Sequence, residues 1–270
     1  MSSANKANPG WESALRILVR TVRSGEPAPP QIPLLRRLLL TRRLYDLSSA
    51  IVQLYWLSYI KNAAKFLAPD DPYYKHVQQY NAGVTMGAQI TTTRRTEELF
   101  QVLRLPARDL SREQVLLIGP RNVQEFYTAW LYGFSWNAIE GVDLYKTFPR
   151  IHVMNMEAMT FPDATFDCIA MSHTLAYAKS VRTCLAECAR VLKTGGQMAF
   201  GATYCPDSDE FAGNQVSGDE IRAILAEVGL TPYYYRQSEK VNKLGLRQTA
   251  HYFGVRKTDP GATVFDPVRW

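Results

Sequence analysis

The sequence lacks an uninterrupted apolar run of about 18 residues, the length that a membrane-spanning helix requires. Its first residues, MSSANKANPGWES, have no apolar core of the kind found in secretory signal peptides, so we expect a cytoplasmic protein. Cysteine is also scarce, with four in 270 residues and no CxxC pair, which excludes a disulfide-stapled miniprotein. We expect no metal site, and the helical spacing of Cys184 and Cys188 predicts two buried thiols.

Acidic residues are few in the first part of the chain. Residues 1–113 contain 16 Lys and Arg against 9 Asp and Glu, a net charge of +7, whereas residues 114–270 have a net charge of −1. The stretch PLLRRLLLTRR (33–43) concentrates this excess, and it suits nucleic acid, an anionic membrane face or an acidic ligand. We favour a solvated helix face on which arginine stems cover apolar neighbours, and we expect no nucleic acid as a partner.

The remaining composition, 46% hydrophobic and 21% charged, is that of a globular enzyme with one large domain or one domain and a cap. Before residue 113 the apolar residues follow helical periodicity and show no strand-type alternation, which predicts a helical cap over residues 1–112. The predicted helices of this cap cover residues 11–23, 34–67 and 73–105, with a proline-rich linker at 24–33 and a break near Gly83 or Gly87.

After residue 113, short apolar runs alternate with helical patterns. This alternation predicts an α/β domain with a doubly wound, mostly parallel sheet over residues 113–257, followed by a tail at 258–270. The last two strands follow each other without a helix between them, which predicts one antiparallel member. The expected strands are 114–119, 138–144, 152–156, 166–172, 197–204, 233–239 and 248–257, and the expected helices are 122–134, 180–193 and 218–228.

Four motifs in this second part, VLLIGPRN, GVDL, PDATFDCI and ARVLKTGGQMAF, resemble the class I S-adenosylmethionine (SAM) methyltransferase family over residues 113–257. The resemblance implies a Rossmann-like, seven-stranded sheet that binds SAM as cofactor beyond the carboxyl ends of its strands. The first loop departs from the family pattern, because Leu117 replaces an acidic residue and Gly119-Pro120-Arg121-Asn122 replaces a glycine-rich turn. Since glycines let a backbone approach a ligand closely, we expect a stiffer and bulkier loop here.

The resemblance also implies which residues contact the cofactor. Asp143 matches the acid that accepts both ribose hydroxyls, with a helix N-cap as its alternative role. Arg121 either pairs with the methionyl carboxylate or points to solvent. Asn155 and Met156 match the stretch that contacts adenine, and Tyr73, Tyr74, Tyr80 and Asn81 fall in a segment that such folds lay over the cofactor. The full set of implied cofactor-binding residues is Gly119, Pro120, Arg121, Asn122, Asp143, Leu144, Asn155, Met156, Ser172 and Tyr80.

The segment SHTLAY (172–177) follows the fourth strand, where the chemistry is expected. His173 and Tyr177 lie four residues apart and share a face if the segment is helical. The Tyr177 ring would stabilise a sulfonium by cation–π attraction, and His173 would serve as a general base because histidine titrates near neutrality. A structural role for His173 stays open as the alternative, and Tyr204, at the end of the fifth strand, is a further candidate.

Three functions are compatible with these residues. We predict a SAM-dependent methyltransferase that acts on a small molecule by in-line transfer from the sulfonium, beneath a helical cap. The aromatic residues Tyr55, Trp56 and Tyr59 of this cap either line the pocket or, as we favour, pack in the core. The alternative is a methyltransferase-fold SAM cyclase or lyase that resembles azetidine-2-carboxylate synthases and releases methylthioadenosine, which the altered first loop motivates. The third is a noncatalytic SAM-binding partner protein.

Overall fold

The computed structural model describes residues 33–63, 65–67, 70–86, 95–106, 108–206, 216–241 and 245–258. The helix predicted at 11–23, the linker up to residue 32, the glycine at 87 and the tail after residue 258 lie outside this part of the chain. The described helices are α1 (Leu34–Leu39), α2 (Arg42–Ala63), α3 (Pro72–Met86), α4 (Arg95–Arg104), α5 (Val123–Leu131), α6 (Val181–Val191) and α7 (Gly218–Glu227). The strands are β1 (Lys65–Phe66), β2 (Val115–Ile118), β3 (Ile139–Asp143), β4 (Tyr145–Lys146), β5 (Ile151–Val153), β6 (Phe166–Ser172), β7 (Leu192–Tyr204), β8 (Leu230–Val241) and β9 (Arg247–Lys257).

Seven strands form one sheet in the order β5-β3-β2-β6-β7-β9-β8. The strands β5, β3, β2, β6 and β7 are parallel, whereas β9 is antiparallel to both β7 and β8. This arrangement confirms the predicted Rossmann-like sheet and its antiparallel member. The chain proceeds from β2 toward one edge through β3 and β5, and then returns to the other side of β2 with β6. The crevice at this reversal is where a doubly wound sheet binds its ligand.

The central strand β2 shows why this sequence forms a buried sheet. All four of its residues are buried, and alternate side chains enter two different cores. Leu116 and Ile118 belong to the core on one face, together with residues of α6 and α7, whereas Val115 and Leu117 belong to the core on the other face, together with residues of α4 and α5. Leu117 is therefore a core residue where the family pattern has an acid.

Side-chain caps determine where three of the helices begin. The Asn122 side chain accepts a hydrogen bond from the backbone N–H of Gln124 at the start of α5, and Ser180 accepts one from Thr183 at the start of α6. Ser217 forms a reciprocal capping box at the start of α7. These caps satisfy backbone donors that have no partner within the helix.

The cap differs from its prediction in two places. The single helix expected over residues 34–67 is divided into α1 and α2, because the hydroxyl of Thr41 donates to the Leu38 carbonyl (2.8 Å) and ends the first helix. The cap also contributes a strand where none was expected, since β1 pairs antiparallel with β4. Two residues are too short to show alternation in the sequence, and the partner strand lies about 80 residues further along the chain.

The cap helices pack against the sheet domain through α5. The hydroxyl of Tyr45 in α2 lies 2.7 Å from the Thr128 hydroxyl, and the Trp56 ring meets Phe148 edge to face at 4.8 Å. The helix α3 continues through Gly83 to Met86, so there is no break at Gly83, and Gly87 lies outside the described residues. None of the helices in the described ranges is long and apolar enough to cross a membrane.

Candidate functional site

A cavity of about 230 Å³ opens beyond the carboxyl ends of β2, β3 and β6 and is covered by α3. It therefore lies in the crevice that the strand order predicts. Its lining combines residues of the sheet, the loops that follow the strands and the cap. The lining residues are Tyr74, Val77, Gln78, Asn81, Ile118, Gly119, Arg121, Glu125, Val142, Asp143, Leu144, Tyr145, Met154, Asn155, Met156, Ser172, His173, Thr174, Ala176, Tyr177, Thr203 and Gln248.

Gly119 follows β2 and forms the floor of the cavity. Its backbone has a φ of +67°, and a Cβ at this position would collide with the side chain of Thr174. The Thr174 hydroxyl in turn donates to the Ile118 carbonyl at 3.2 Å, so this side chain holds the loop after β6 against the loop after β2. Both the positive φ and the close approach require glycine here.

The other residues of the first loop divide between two roles. Pro120 is buried over Gly141, where an added Cβ would lie 2.9 Å from the proline ring, and it does not line the cavity. Asn122 is also buried, and its side chain is used in capping α5. Only Gly119 and Arg121 of this loop line the cavity. The proline and asparagine of this loop are thus committed to packing and to capping α5.

Asp143 ends β3 and lines the cavity. It precedes β4 rather than a helix, so the alternative role as a helix N-cap does not apply. The backbone N–H of Leu144 donates to its Oδ1 at 2.6 Å. Burial raises the pKa of Asp143 to about 8, and the nearby Glu125 carboxyl adds to this effect, whereas the Arg121 charge opposes it. A ligand that donates hydrogen bonds to this carboxyl would stabilise its charged form.

Glu125 is a cavity residue that the sequence reasoning missed. Burial raises its pKa to about 7, and the charge of the exposed Arg121 opposes this shift. The Arg121 backbone N–H also points at Glu125 Oε1 over 3.5 Å. The signal in the sequence was an acid four residues after an arginine at a predicted helix start. Arg121, Glu125 and Asp143 thus form one charged cluster at the cavity.

The remaining implied cofactor contacts after β3, β5 and β6 all line the cavity: Leu144, Asn155, Met156 and Ser172. Asn155 Oδ1 accepts the backbone N–H of Glu157 at 3.0 Å, which holds the turn that carries Met156. The Ser172 hydroxyl accepts a hydrogen bond of 3.4 Å from Thr96 in α4. The site therefore draws on three strand ends and on the helix α4 behind them.

His173 and Tyr177 both line the cavity, although the segment between them is not an α-helix and the condition for a shared helical face is not met. His173 has a φ of +56°, and only Leu175–Tyr177 forms a single 3₁₀ turn. His173 Nδ1 lies 2.8 Å from the Thr203 hydroxyl, and its Nε2 is buried above Gly201, where an added Cβ would approach that atom to 2.8 Å. Both ring nitrogens are thus directed into protein, which favours the structural alternative. A left-handed φ in a residue with a side chain costs of order 1 kcal/mol, which the surrounding contacts must offset.

Besides Pro120 and Asn122, five predicted site or pocket residues with described side chains do not line the cavity, and one of them, Tyr73, packs edge to face on Tyr74. Tyr204 is the neighbour of the lining residue Thr203, so its side chain points to the opposite face of β7. Tyr80 is 59% exposed on the outer side of α3, and Tyr55 is 76% exposed on α2. Trp56 packs on Phe148, as described above. The side chain of Tyr59 falls outside the described residues.

The inner side of α3 supplies the cover of the cavity through Tyr74, Val77, Gln78 and Asn81, which follow helical spacing. Gln78 is 7% exposed, and its amide group donates to the carbonyls of Leu67 and Leu144, both at 2.6 Å. This side chain therefore connects α3 to β1 and to the residue that follows Asp143. The sequence reasoning named Tyr74 and Asn81 but missed Gln78, although the spacing of three and four residues carried that signal.

The model of a methyltransferase domain matches residues 134–200 of the chain. No curated protein matches the chain in sequence. Among solved structures, the geranyl diphosphate C-methyltransferase from Streptomyces coelicolor is 13% identical, with a TM-score of 0.52 over 71% of this chain and 100% of that one. The N-methyltransferase NodS from Bradyrhizobium japonicum is 17% identical, with a TM-score of 0.52 over 69% of this chain and 99% of that one.

At these identities the structural matches establish the fold, whereas the domain match concerns the sequence itself. The match begins just after α5 and ends within β7, so it contains Asp143, Asn155, Met156 and the segment 172–177. This domain match bears out the methyltransferase resemblance over residues 134–200, and the enzyme class and SAM as cofactor are those that the resemblance implies. The chain therefore has the fold of class I SAM-dependent methyltransferases, and its residues 134–200 match a methyltransferase domain.

Proposed function

We propose that the protein transfers a methyl group from SAM to a small molecule bound under α3. The observation that carries this proposal is the joint lining of one cavity by Gly119, Asp143 and Met156 from the sheet domain and by Tyr74 and Gln78 from the cap. Because α3 covers the cavity, it suits a small acceptor rather than a macromolecule. We further propose the domain division 1–112, 113–257 and 258–270, in which the first part acts as the lid.

The donor set of the cavity fits SAM. Asp143 offers a buried carboxyl whose raised pKa reflects burial, and a ribose diol would donate two hydrogen bonds to it. Arg121 lies at the same cluster and suits the methionyl carboxylate, whereas Glu125 suits the methionyl ammonium group. Met156 and Met154 offer apolar packing to adenine. When bound, SAM supplies an electrophilic methyl group on a sulfonium.

The residues of this chain then have separate tasks. Asp143 and Arg121 orient the two ends of the donor, so that the reacting methyl group keeps one position. Tyr177 presents its ring from the 3₁₀ turn after β6, and α3 excludes water from the cavity. We assign to His173 the positioning of this turn rather than proton transfer, because Thr203 engages its Nδ1. Gln248 is 8% exposed and lines the cavity, and it offers an amide to the acceptor.

Product analysis tests this function. The purified protein is incubated with SAM, alone and with a panel of small hydroxyl, amine and carbon nucleophiles, and nucleosides are identified by mass spectrometry. We expect S-adenosylhomocysteine to accumulate only with an acceptor, and Asp143→Ala to reduce it. If SAM alone gives methylthioadenosine, the protein is a SAM cyclase or lyase and not a methyltransferase. Calorimetric SAM binding with neither product would indicate a noncatalytic SAM-binding protein.

A further inference from the structure

The helix α1 differs from an ordinary helix at a surface that faces water. Its leucines are exposed, whereas one of its arginines, Arg36, points into the protein. Leu34, Leu35 and Leu38 are 71%, 66% and 49% exposed, and no residue of this helix is buried. Arg36 instead points inward, with its guanidinium 4.2 Å from the centre of the Trp130 ring and a hydrogen bond of 2.8 Å to the Trp130 carbonyl. The stretch is solvated as expected, but its leucines are exposed and not covered by arginine stems.

The helix α2 continues this pattern. Its buried residues Tyr45, Ser49 and Gln53 face α5, as expected for a helix on a core. The opposite side carries Leu47, Ile51 and Leu54, which are 60%, 58% and 52% exposed and recur at intervals of four and three residues. Such spacing places them on one stripe of the helix. A helix that is apolar on both sides is normally covered on both sides.

Positive charge accompanies these exposed apolar side chains. Arg37, Arg42 and Arg43 are exposed, and Asp46 is the only acid between residues 33 and 56. A surface that combines leucines with arginines and hardly any acid matches a phase with an apolar interior and anionic headgroups. Monomeric soluble proteins rarely expose contiguous apolar patches of more than a few hundred Å². We name the exposed residues of α1 and α2 the outer face: Leu34, Leu35, Leu38, Leu47, Ile51 and Leu54, with Arg37, Arg42 and Arg43.

We propose that the outer face of α1 and α2 docks the protein on an anionic lipid bilayer. Exposed apolar side chains alone, or positive charge alone, would bind a bilayer weakly. The two together give stable but reversible attachment. A second copy of the chain on this face would bring like-charged arginines together in a two-fold contact. A nucleic acid would engage the arginines and leave the leucines in water. The bilayer satisfies both sets of side chains.

Vesicle sedimentation of the full chain tests this proposal. Binding is measured on phosphatidylcholine vesicles and on vesicles that also contain phosphatidylglycerol. We expect binding to the mixed vesicles and at least about tenfold weaker binding to phosphatidylcholine alone. The double variant Leu47→Ser/Ile51→Ser should lose about tenfold in partitioning, because two apolar contacts with the bilayer are removed. The double variant Arg42→Gln/Arg43→Gln should also lose about tenfold in partitioning onto the mixed vesicles. Added salt should weaken the binding of the wild type until it approaches that of this variant.

Matched controls change the same residue types elsewhere. Val241→Ser removes an exposed aliphatic side chain from β8, and Arg112→Gln removes an arginine whose side chain is 87% exposed. Both should bind as the wild type does, and thermal unfolding checks that every variant is folded. No binding of the wild type to mixed vesicles would overturn the proposal, as would equal losses in controls and outer-face variants. It would also be overturned if light scattering showed a dimer that Leu47→Ser/Ile51→Ser dissociates without any vesicle binding. Binding to DNA that survives the leucine substitutions, with no binding to vesicles, would assign the face to nucleic acid instead.

Discussion

Asp143 is the residue on which the proposed SAM site most depends. Its carboxyl lies at the end of β3, in the cavity, with one hydrogen bond of 2.6 Å from the Leu144 backbone. We predict that Asp143→Ala weakens SAM binding by roughly 1.5–3 kcal/mol, the scale of a lost hydrogen bond to a charged group. Isothermal titration calorimetry on the folded variant measures this change, and an unchanged affinity would remove Asp143 from the ribose site.

Arg121 carries a prediction that separates charge from loop shape. If its guanidinium pairs with the methionyl carboxylate, Arg121→Ala should weaken SAM much more than methylthioadenosine, which has no such carboxylate. Both affinities are measured by calorimetry on the same preparation. Equal losses for the two ligands would mean that Arg121 acts only through the conformation of the first loop.

Tyr177 separates the contribution of an aromatic face from that of a hydroxyl. Positive charge on sulfur falls as the methyl bond breaks, so tight binding of the cation alone would not accelerate the step. If the ring holds the reacting carbon in line or excludes water, Tyr177→Phe should keep most of the rate of S-adenosylhomocysteine formation. Tyr177→Ala should then lose about tenfold or more, roughly 1.4 kcal/mol in the barrier. A Phe variant as slow as the Ala variant would assign the role to the hydroxyl.

At the scale of elements, α3 is the piece that covers the cavity, and Gln78 attaches it to the sheet domain. Because Gln78→Leu removes two hydrogen bonds and leaves the carbonyls of Leu67 and Leu144 without this donor, we predict a loss of roughly 1–3 kcal/mol in the free energy of unfolding. Faster amide hydrogen exchange should be confined to α3 and β1, and SAM affinity should fall.

The neighbouring Gln79 is exposed on the same helix and provides the matched control. Gln79→Leu should change neither hydrogen exchange nor SAM affinity, because its side chain faces away from the cavity. If the two substitutions had equal effects, the changes in hydrogen exchange and SAM affinity would come from replacing any glutamine of α3, and not from losing the hydrogen bonds of Gln78.

For the whole molecule, the buried carboxyls of the cavity make stability depend on pH. Burial raises the pKa of Asp143 from 3.8 to about 8, so over this range the folded protein holds a proton that the unfolded chain has lost. This group therefore lowers the free energy of unfolding as pH rises from about 4 to 8. We predict that ligand-free Asp143→Asn melts near the wild-type temperature at pH 4 and above it at pH 8.

Thermal unfolding across this pH range measures the difference between the two proteins. Asp46→Asn removes an exposed carboxyl on α2 and should follow the wild-type curve at every pH. A constant difference between wild type and Asp143→Asn from pH 4 to 8 would show that the substitution acts through packing rather than through the charge.

Much of the sheet domain was predictable because its signals are local. The run QVLLIG contains β2, FDCIAMS is β6, and the helical pattern of SVRTCLAECARVLK contains α6 with Cys184 and Cys188 buried as expected. Motifs that follow these strands also led to Asp143, Met156 and Tyr177, all of which line the cavity. A residue at a strand end is placed by the sheet, so its position follows once the strand is recognised.

The alternation of strands and helices, the family resemblance and the residues at strand ends can all be inferred from the amino-acid order, since each depends on neighbours within a few positions. Which side chains meet across long separations depends instead on the folded chain. Tyr80 and Gln78 lie two residues apart, yet helical geometry directs Tyr80 to solvent and Gln78 to Leu144. No local pattern predicts the pairing of β1 with β4 or the outward leucines of α1. Both depend on contacts between segments that are distant in the sequence, and these contacts form only when the chain folds.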